Sequence, residues 1–225
     1  MDTKCEKDLG VEVDNELKFS AHMNSKIKMA NSMVGAVRRS FRYLDVPTFR
    51  LLYKGMVRCH LEYAVPAWSP QYEGMIEKVE GVQRRATLML PGMKGVEYPD
   101  RLRIIGLPTL RYRRQRADMI ETHKMLHNRY ERDLCPRLEL RTSAVPSRMN
   151  SLALCQKRNM RDVRRNVFSQ RIVPVWNSLP EEVVTADTTE KFKEKLDKHW
   201  TDQAQKYQFK CHMTGVMRNG VINLC

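Results

Sequence analysis

The chain has 225 residues, with 40 Lys and Arg against 26 Asp and Glu and a formal charge of +14. A hydrophobic fraction of 42% is enough for a packed core and excludes a disordered tail, and no apolar run approaches the ~20 residues of a membrane span. The positive excess points to a polyanionic partner, most simply nucleic acid.

The first residues, MDTKCEKDLG, are charged and have no apolar stretch after them, so they do not read as a secretory signal. Six cysteines (Cys5, Cys59, Cys135, Cys155, Cys211, Cys225) lie far apart without a C-x-x-C pair. They read as reduced thiols of an intracellular protein, nuclear or cytoplasmic, with no targeting signal.

Residues 9–19, LGVEVDNELKF, alternate apolar and polar on both sides of Asp14-Asn15 and predict a short β-hairpin. Ser20 reads as the N-cap of a helix of about 20 residues. Met23, Ile27, Ala30, Val34, Val37 and Phe41 form its apolar stripe, and Lys26, Lys28, Arg38 and Arg39 its other face. Pro47 suits the first turn of a second helix, with Phe49, Leu52, Tyr53 and Met56 inward. HLEYAVPAW breaks that pattern at Pro66 and Pro70.

A third helix is predicted from Gly74 to Leu90, with Ile76, Val79, Val82, Ala86 and Met89 apolar and Gln83, Arg84 and Arg85 on its surface. Pro91-Gly92 stops it. A short helix from Tyr98 to Ile105 ends at Gly106. A fifth runs from near Pro108 to about Asn128, with Tyr112, Met119, Ile120 and Leu126 near one side. The helical pattern returns from Lys157 to Arg171, where Met160, Val163 and Val167 are apolar and Arg158, Arg161, Arg164 and Arg165 are not. RIVPVWNSLPEEVV turns at Pro174 and Pro180. Asp187 with Glu190 resembles a capping box, and Phe192, Leu196 and Trp200 mark a last amphipathic helix.

The expected fold is mostly α: one or more helical bundles with one short N-terminal β-hairpin. Its expected parts are a hairpin (1–19), a helical domain (20–130), a connection (131–156), a helical extension (157–200) and a disordered tail (201–225).

GLPTLRYRRQR, residues 106–116, places Arg111, Arg113, Arg114 and Arg116 within six residues at a helix start. At ~100° per residue they reach every side of the helix, so at least one points inward. Either a bound anion relieves their repulsion, or they pair with acids such as Glu62, Glu77, Glu80, Asp118 and Glu121. Arg114 and Asp118 stand at i, i+4.

No phosphate loop and no nucleophile elbow occurs. No Asp-Asp pair and no acid-x-Lys set after Asp100 suggests a two-metal centre. His123 and His127 have the spacing of a zinc-binding pair, but KML lies between them, and they read as surface or interface histidines. No catalytic residue, metal ligand or cofactor is assigned. Tyr63, Trp68, Trp176 and Trp200 could stack on bases; their settings favour core, Trp176 in a packed corner between prolines.

Seven phrases, in order, carry a family resemblance: DLGVEVDNELKFSAHM, RRSF, LLYKGMVRCHLEYAVPAWSP, IEKVEGVQRRAT, RLRIIGLPTLRYRRQRADMIETHKML, DVRRNVFSQRIVPVWNSLP and FKEKLDKHW. Together they resemble the region after the polymerase core in reverse transcriptases of non-LTR (LINE-type) retrotransposons, nearest to jockey-like and chicken-repeat-like clades. The resemblance covers about residues 8–200. It implies a remnant of the palm hairpin, then the helical thumb that holds template–primer, then a helical extension. The catalytic aspartates would lie before DLGV, so the resemblance implies a truncated RNA-directed DNA polymerase that is not an enzyme on its own.

The same resemblance implies RNA or RNA–DNA duplex as partner, gripped through phosphates without sequence readout, and the missing polymerase core as a second partner. The candidate phosphate contacts are Lys26, Lys28, Arg38, Arg39, Arg84, Arg85, Arg111, Arg113, Arg114, Arg116, Arg158, Arg161, Arg164 and Arg165. RTSAVPSRMN stands where the family often has an Arg-Gly-His phrase, and KCHMTGVMRNGVINLC has no counterpart. The alternative is a non-binding retroelement relic, or a host-recruited protein-interaction module whose basic residues are internal salt-bridge partners. RNA against DNA preference and oligomeric state stay open.

Overall fold

The hairpin pairs Cys5–Asp8 (β1) with Val11–Asp14 (β2), antiparallel, with Asp8 opposite Val11. The turn is therefore Leu9-Gly10 and not Asp14-Asn15. Both turn residues have positive φ, 43° and 83°, as a two-residue type I′ turn requires. Asp14 instead shapes the exit from β2: its carboxylate accepts the amides of Glu16, Lys18 and Phe19 at 3.1, 3.0 and 2.6 Å, an Asx-type arrangement. This computed structural model describes residues 5–141, 150–157, 164, 166–215, 217–218 and 221–222.

The described residues are mostly helical. They divide into two compact units, Met1–Arg114 with Tyr207–Phe209, and Gln115–Lys206 with Lys210–Cys225. The division falls inside a helix and not in the 131–156 connection.

In the first unit, α1 spans Ser20–Ser40. Its N-cap is Phe19, in the left-handed region at φ 53° and without a side-chain cap bond, so Ser20 is the first helical residue rather than the cap. Met23, Ala30 and Val37 are buried as the stripe predicts, while Phe41, past the helix end, is 41% exposed. Asp45 caps α2 (Val46–Leu52) by accepting the Thr48 amide at 3.0 Å, with Pro47 in the first turn.

α2 then widens into a π-helical turn, Tyr53–Arg58, before α3 (Cys59–Glu62). The buried row is Phe49, Tyr53, Val57 and Leu61. Steps of four drift by about 40° each on a regular α-helix, and an i→i+5 turn takes up that drift. This is why Met56, expected inward, is 40% exposed and Val57 replaces it.

Ala64, at φ 51°, turns the chain into α4 (Val65–Trp68). Val11, Met23, Val65 and Trp68 form a small core against the hairpin. α5 (Glu73–Thr87) and α6 (Tyr98–Ile105) contribute Ile76, Val79, Val82, Ala86, Leu102 and Ile105 to the main core of this unit. Gly106, at φ 71°, closes α6. The Leu107 amide reaches Leu102 O at 3.0 Å and the Gly106 amide Arg103 O at 3.2 Å, the paired bonds of a Schellman motif. α7 follows at Leu110–Leu126.

In the second unit, α8 is Phe168–Asn177, and Pro174 lies within it instead of ending it. The helix expected from Lys157 to Arg171 does not run through to Arg171 unbroken: Val167 is extended and precedes the first residue of α8, and residues 158–163 and 165 lie outside the description. α9 is Glu181–Val184 and α10 is Thr189–His199. The cap of α10 is Thr188, one residue past the expected Asp187; its hydroxyl accepts the Lys191 amide at 3.2 Å. Phe192, Leu196 and Trp200 are buried. The connection carries a short backbone pairing, with the Arg141 amide on Ala153 O at 2.7 Å and the Cys155 amide on Glu139 O at 2.8 Å. The tail, expected to be disordered, is packed over its described residues 201–215. Gln205, Phe209 and Met213 are buried, and Phe209 belongs to the core of the first unit.

Candidate nucleic-acid interface

The start of α7 is held by two acceptors. Thr109 Oγ1 accepts the Tyr112 amide at 3.1 Å. The carboxylate of Glu80, fully buried on α5, accepts the Leu110 amide at 3.0 and 3.2 Å. Negative charge at a helix N-terminus satisfies amides that have no partner inside the helix and complements the dipole. Tyr98 donates its hydroxyl to Glu80 at 2.6 Å. Gln83 accepts from Tyr53 at 2.6 Å and donates to Tyr98 and to Pro108 O at 3.1 and 3.0 Å. Gln83, expected on the surface, is thus completely buried, where the buried Tyr53 and Tyr98 hydroxyls and the part-buried Pro108 carbonyl all use its amide. Burial raises the Glu80 pKa, against the Tyr98 hydrogen bond and the attraction of Arg114, which lower it.

The four arginines of α7 point to different places. Arg111 and Arg114 are buried, as the angular argument requires of at least one. Arg111 reaches Glu73 at 3.1 Å and donates to Phe209 O at 3.0 Å. Arg113 grips Glu62 with Nε and Nη2, and Arg58 approaches the same carboxylate at 3.4 Å. Arg116 binds Asp197 through both oxygens at 2.6 and 2.7 Å. Carboxylates within the chain therefore meet most of this cluster. Asp118, the expected partner of Arg114, accepts a two-pronged contact from Arg171 at 2.9 Å on each oxygen. Arg84 lies over the rings of Tyr98 and Phe209, 5.5 Å from each centroid, and 3.6 Å from Glu77.

The basic face of α1 is different. No Asp or Glu occurs from Leu17 to Leu44. Lys28, Arg38 and Arg39 are exposed, as is Arg42 just past the helix end. None of the four has an ion pair or hydrogen bond among the described residues. At ~100° per residue, Lys28, Asn31, Gly35, Arg38 and Arg39 fall within a sector of about 100°. Arg85 reaches across from α5 to donate to Asn31 Oδ1 at 2.7 Å, and it too is exposed. Arg39 lies over Gly35, its Nη1 3.3 Å from where a Cβ would stand. This gives a stripe about 16 Å long from Lys28 to Arg39, with Arg85 at its side. Lys26 does not belong to it: two residues from Lys28, it sits about 200° round the helix. It is half-buried and helps to lower the pKa of His22.

Arg158, Arg161 and Arg165 lie outside the described residues; Arg164 is exposed. Trp68, Trp176 and Trp200 are buried, and Trp176 donates to Leu152 O at 2.9 Å. Tyr63 is half exposed, with its hydroxyl on Leu9 O at 2.7 Å. His123 and His127 stack at 4.1 Å between ring centres, and each gives its Nε2 proton to a carbonyl: Ala186 O at 2.9 Å and Val184 O at 3.0 Å. His123 is fully buried, stacked on Phe192 of α10 as well as on His127, which fits the interface and not the surface alternative. Among the described residues no group of three His, Cys, Asp or Glu could hold a metal ion, and no helix is long and apolar enough to cross a membrane.

The partners of the α7 arginines were only partly visible in sequence. Glu62, the partner of Arg113, is one of the acids the sequence offers. Glu73 and Asp197 are not singled out there, since contacts 38 and 81 residues apart leave no local pattern. No family model, curated protein or solved structure matches the chain.

Proposed function

We propose that this chain is the thumb and C-terminal region of a non-LTR retrotransposon reverse transcriptase, an RNA-directed DNA polymerase, and that it grips template–primer through phosphate contacts without chemistry of its own. The seven phrases along residues 8–200 support the family, and a mostly helical chain opening on a hairpin agrees with it. The observation that carries the binding reading is the acid-free basic face of α1, Lys28, Arg38 and Arg39, flanked by Arg85. Arg38 and Arg39 also suit the last turn of a helix, but a helix terminus does not call for Lys28 or for Arg85 alongside. Phosphate contacts made this way follow a duplex of any sequence. On this reading the chain works in the nucleus or cytoplasm beside the polymerase core.

Fluorescence anisotropy with an RNA–DNA duplex tests it. Four cations predict that affinity falls about 100-fold as salt rises from about 50 to about 200 mM. Absence of binding at the lower salt, or affinity indifferent to salt, rejects it. The ion pairs of α7 favour a second reading for that helix alone: its arginines are internal struts, as in a protein-interaction module.

A further inference from the structure

Between α1 and α2 the chain reads RRSFRYLD, residues 38–45. We infer that Phe41 and Tyr43 form a stacking platform for unpaired nucleic-acid bases at the end of the α1 basic stripe. The inference rests on the phosphate-binding reading of that stripe and names a further class of ligand for it, single-stranded nucleic acid.

Single exposed aromatic residues need no explanation. Here two stand within three residues: Tyr43 is 76% exposed and Phe41 41%. Neither ring has an aromatic, cationic or hydrogen-bonded side-chain partner among the described residues. The backbone that carries them is tied at both ends. On one side the Phe41 amide closes on Val37 O at 3.2 Å, above the buried Val37. On the other, Leu44 is buried in the core of its unit and Asp45 caps α2. Two residues, Arg42 and Tyr43, lie between Phe41 and Leu44.

The chemistry around them is cationic and suits an anion. Arg38, Arg39 and Arg42 are exposed and interleave with the rings. The first carboxylate after them, Asp45, is engaged with the Thr48 amide. Aromatic faces beside a cationic track are how single strands are bound without sequence preference, because every base has a π-face. Bases inside a duplex are already stacked, so the platform takes a strand end or an unpaired segment.

The experiment compares oligouridine with a blunt RNA–DNA duplex of equal length, on wild type, Phe41→Ala, Tyr43→Ala and Tyr43→Trp, with circular dichroism to verify folding. Each alanine variant should weaken oligouridine binding about fivefold or more, leave duplex affinity within about twofold, and keep the salt dependence; Tyr43→Trp should restore binding. Alanine variants that bind oligouridine like wild type, or that weaken both ligands equally, overturn the inference. So does a wild-type protein that binds duplex steeply with salt but ignores oligouridine, and in that case the proposed function stands. If neither ligand binds, both fall.

Discussion

Glu80 Oε2 accepts the amide of Leu110 at 3.0 Å across thirty residues of sequence. A side chain from the middle of α5 thereby starts α7 and fixes where its arginines can reach. Glu80→Ala would remove that acceptor and leave the Tyr98 hydroxyl buried without one. A loss of about 3 kcal/mol in chemical denaturation is expected, within the range for breaking a buried charged hydrogen-bond network; a loss below about 1 kcal/mol would show that the network is incidental. Because burial raises the Glu80 pKa, the folded state binds its proton more tightly than the unfolded one. Its contribution is complete below the ordinary value of 4.5 and declines as pH rises through the raised value. Glu80→Gln, with no proton to lose, should remove that part of the pH dependence.

Asp118 and Arg171 form the corresponding contact of the second unit, with side chains 7% and 17% exposed. Removing one partner of a buried pair strands the other charge, so Arg171→Leu should lower stability by about 3 kcal/mol. Replacing both, Asp118→Leu with Arg171→Leu, should recover most of that loss, since apolar substitution of a whole pair is often neutral. A double variant no better than the single in urea denaturation would refute this account of the pair.

His123 gives the second unit a pH dependence of predictable sign. Burial lowers its pKa from the ordinary 6.5, against the bond to Ala186 O, which raises it. The unfolded chain therefore takes the proton first. Stability is complete above about 6.5 and is lost as pH falls toward the lowered value. His22 and His199, also lowered by burial, act in the same direction. Melting temperatures from pH 7.5 to 5.5 should fall for wild type and fall less for His123→Phe, which keeps the stack on Phe192 (4.3 Å). Equal slopes for the two proteins would contradict this.

The helices were legible wherever one periodicity decided them. The α1 stripe and the Tyr98–Ile105 helix with its Gly106 stop follow from local chemistry, and the structure has both. Legibility failed where the geometry was not that of a regular helix or turn. The π-helical turn moved Met56 out and Val57 in. Leu9 adopts a positive φ that its residue type does not advertise, while Asp14-Asn15 displays the turn chemistry that Leu9-Gly10 lacks at its first position. The candidate site divided along the same line. Basic residues on α1 could be read directly, because nothing acidic lies nearby in sequence. The density of arginines in α7 suggested an anion site, but their partners, Glu73 and Asp197 among them, come from helices far along the chain and are found only by folding it.

On the proposed function α1, and not the denser arginine cluster of α7, meets phosphate. The direct measurement is the salt slope of duplex affinity in Arg38→Gln/Arg39→Gln and in Arg113→Gln. The α1 double variant should reduce the slope by about 1.8, near 0.9 for each contact removed, with its stability unchanged. Arg113→Gln should leave the slope intact and lower stability, because it frees Glu62 from its fork. A slope that falls for Arg113→Gln and holds for the α1 variant would contradict the account.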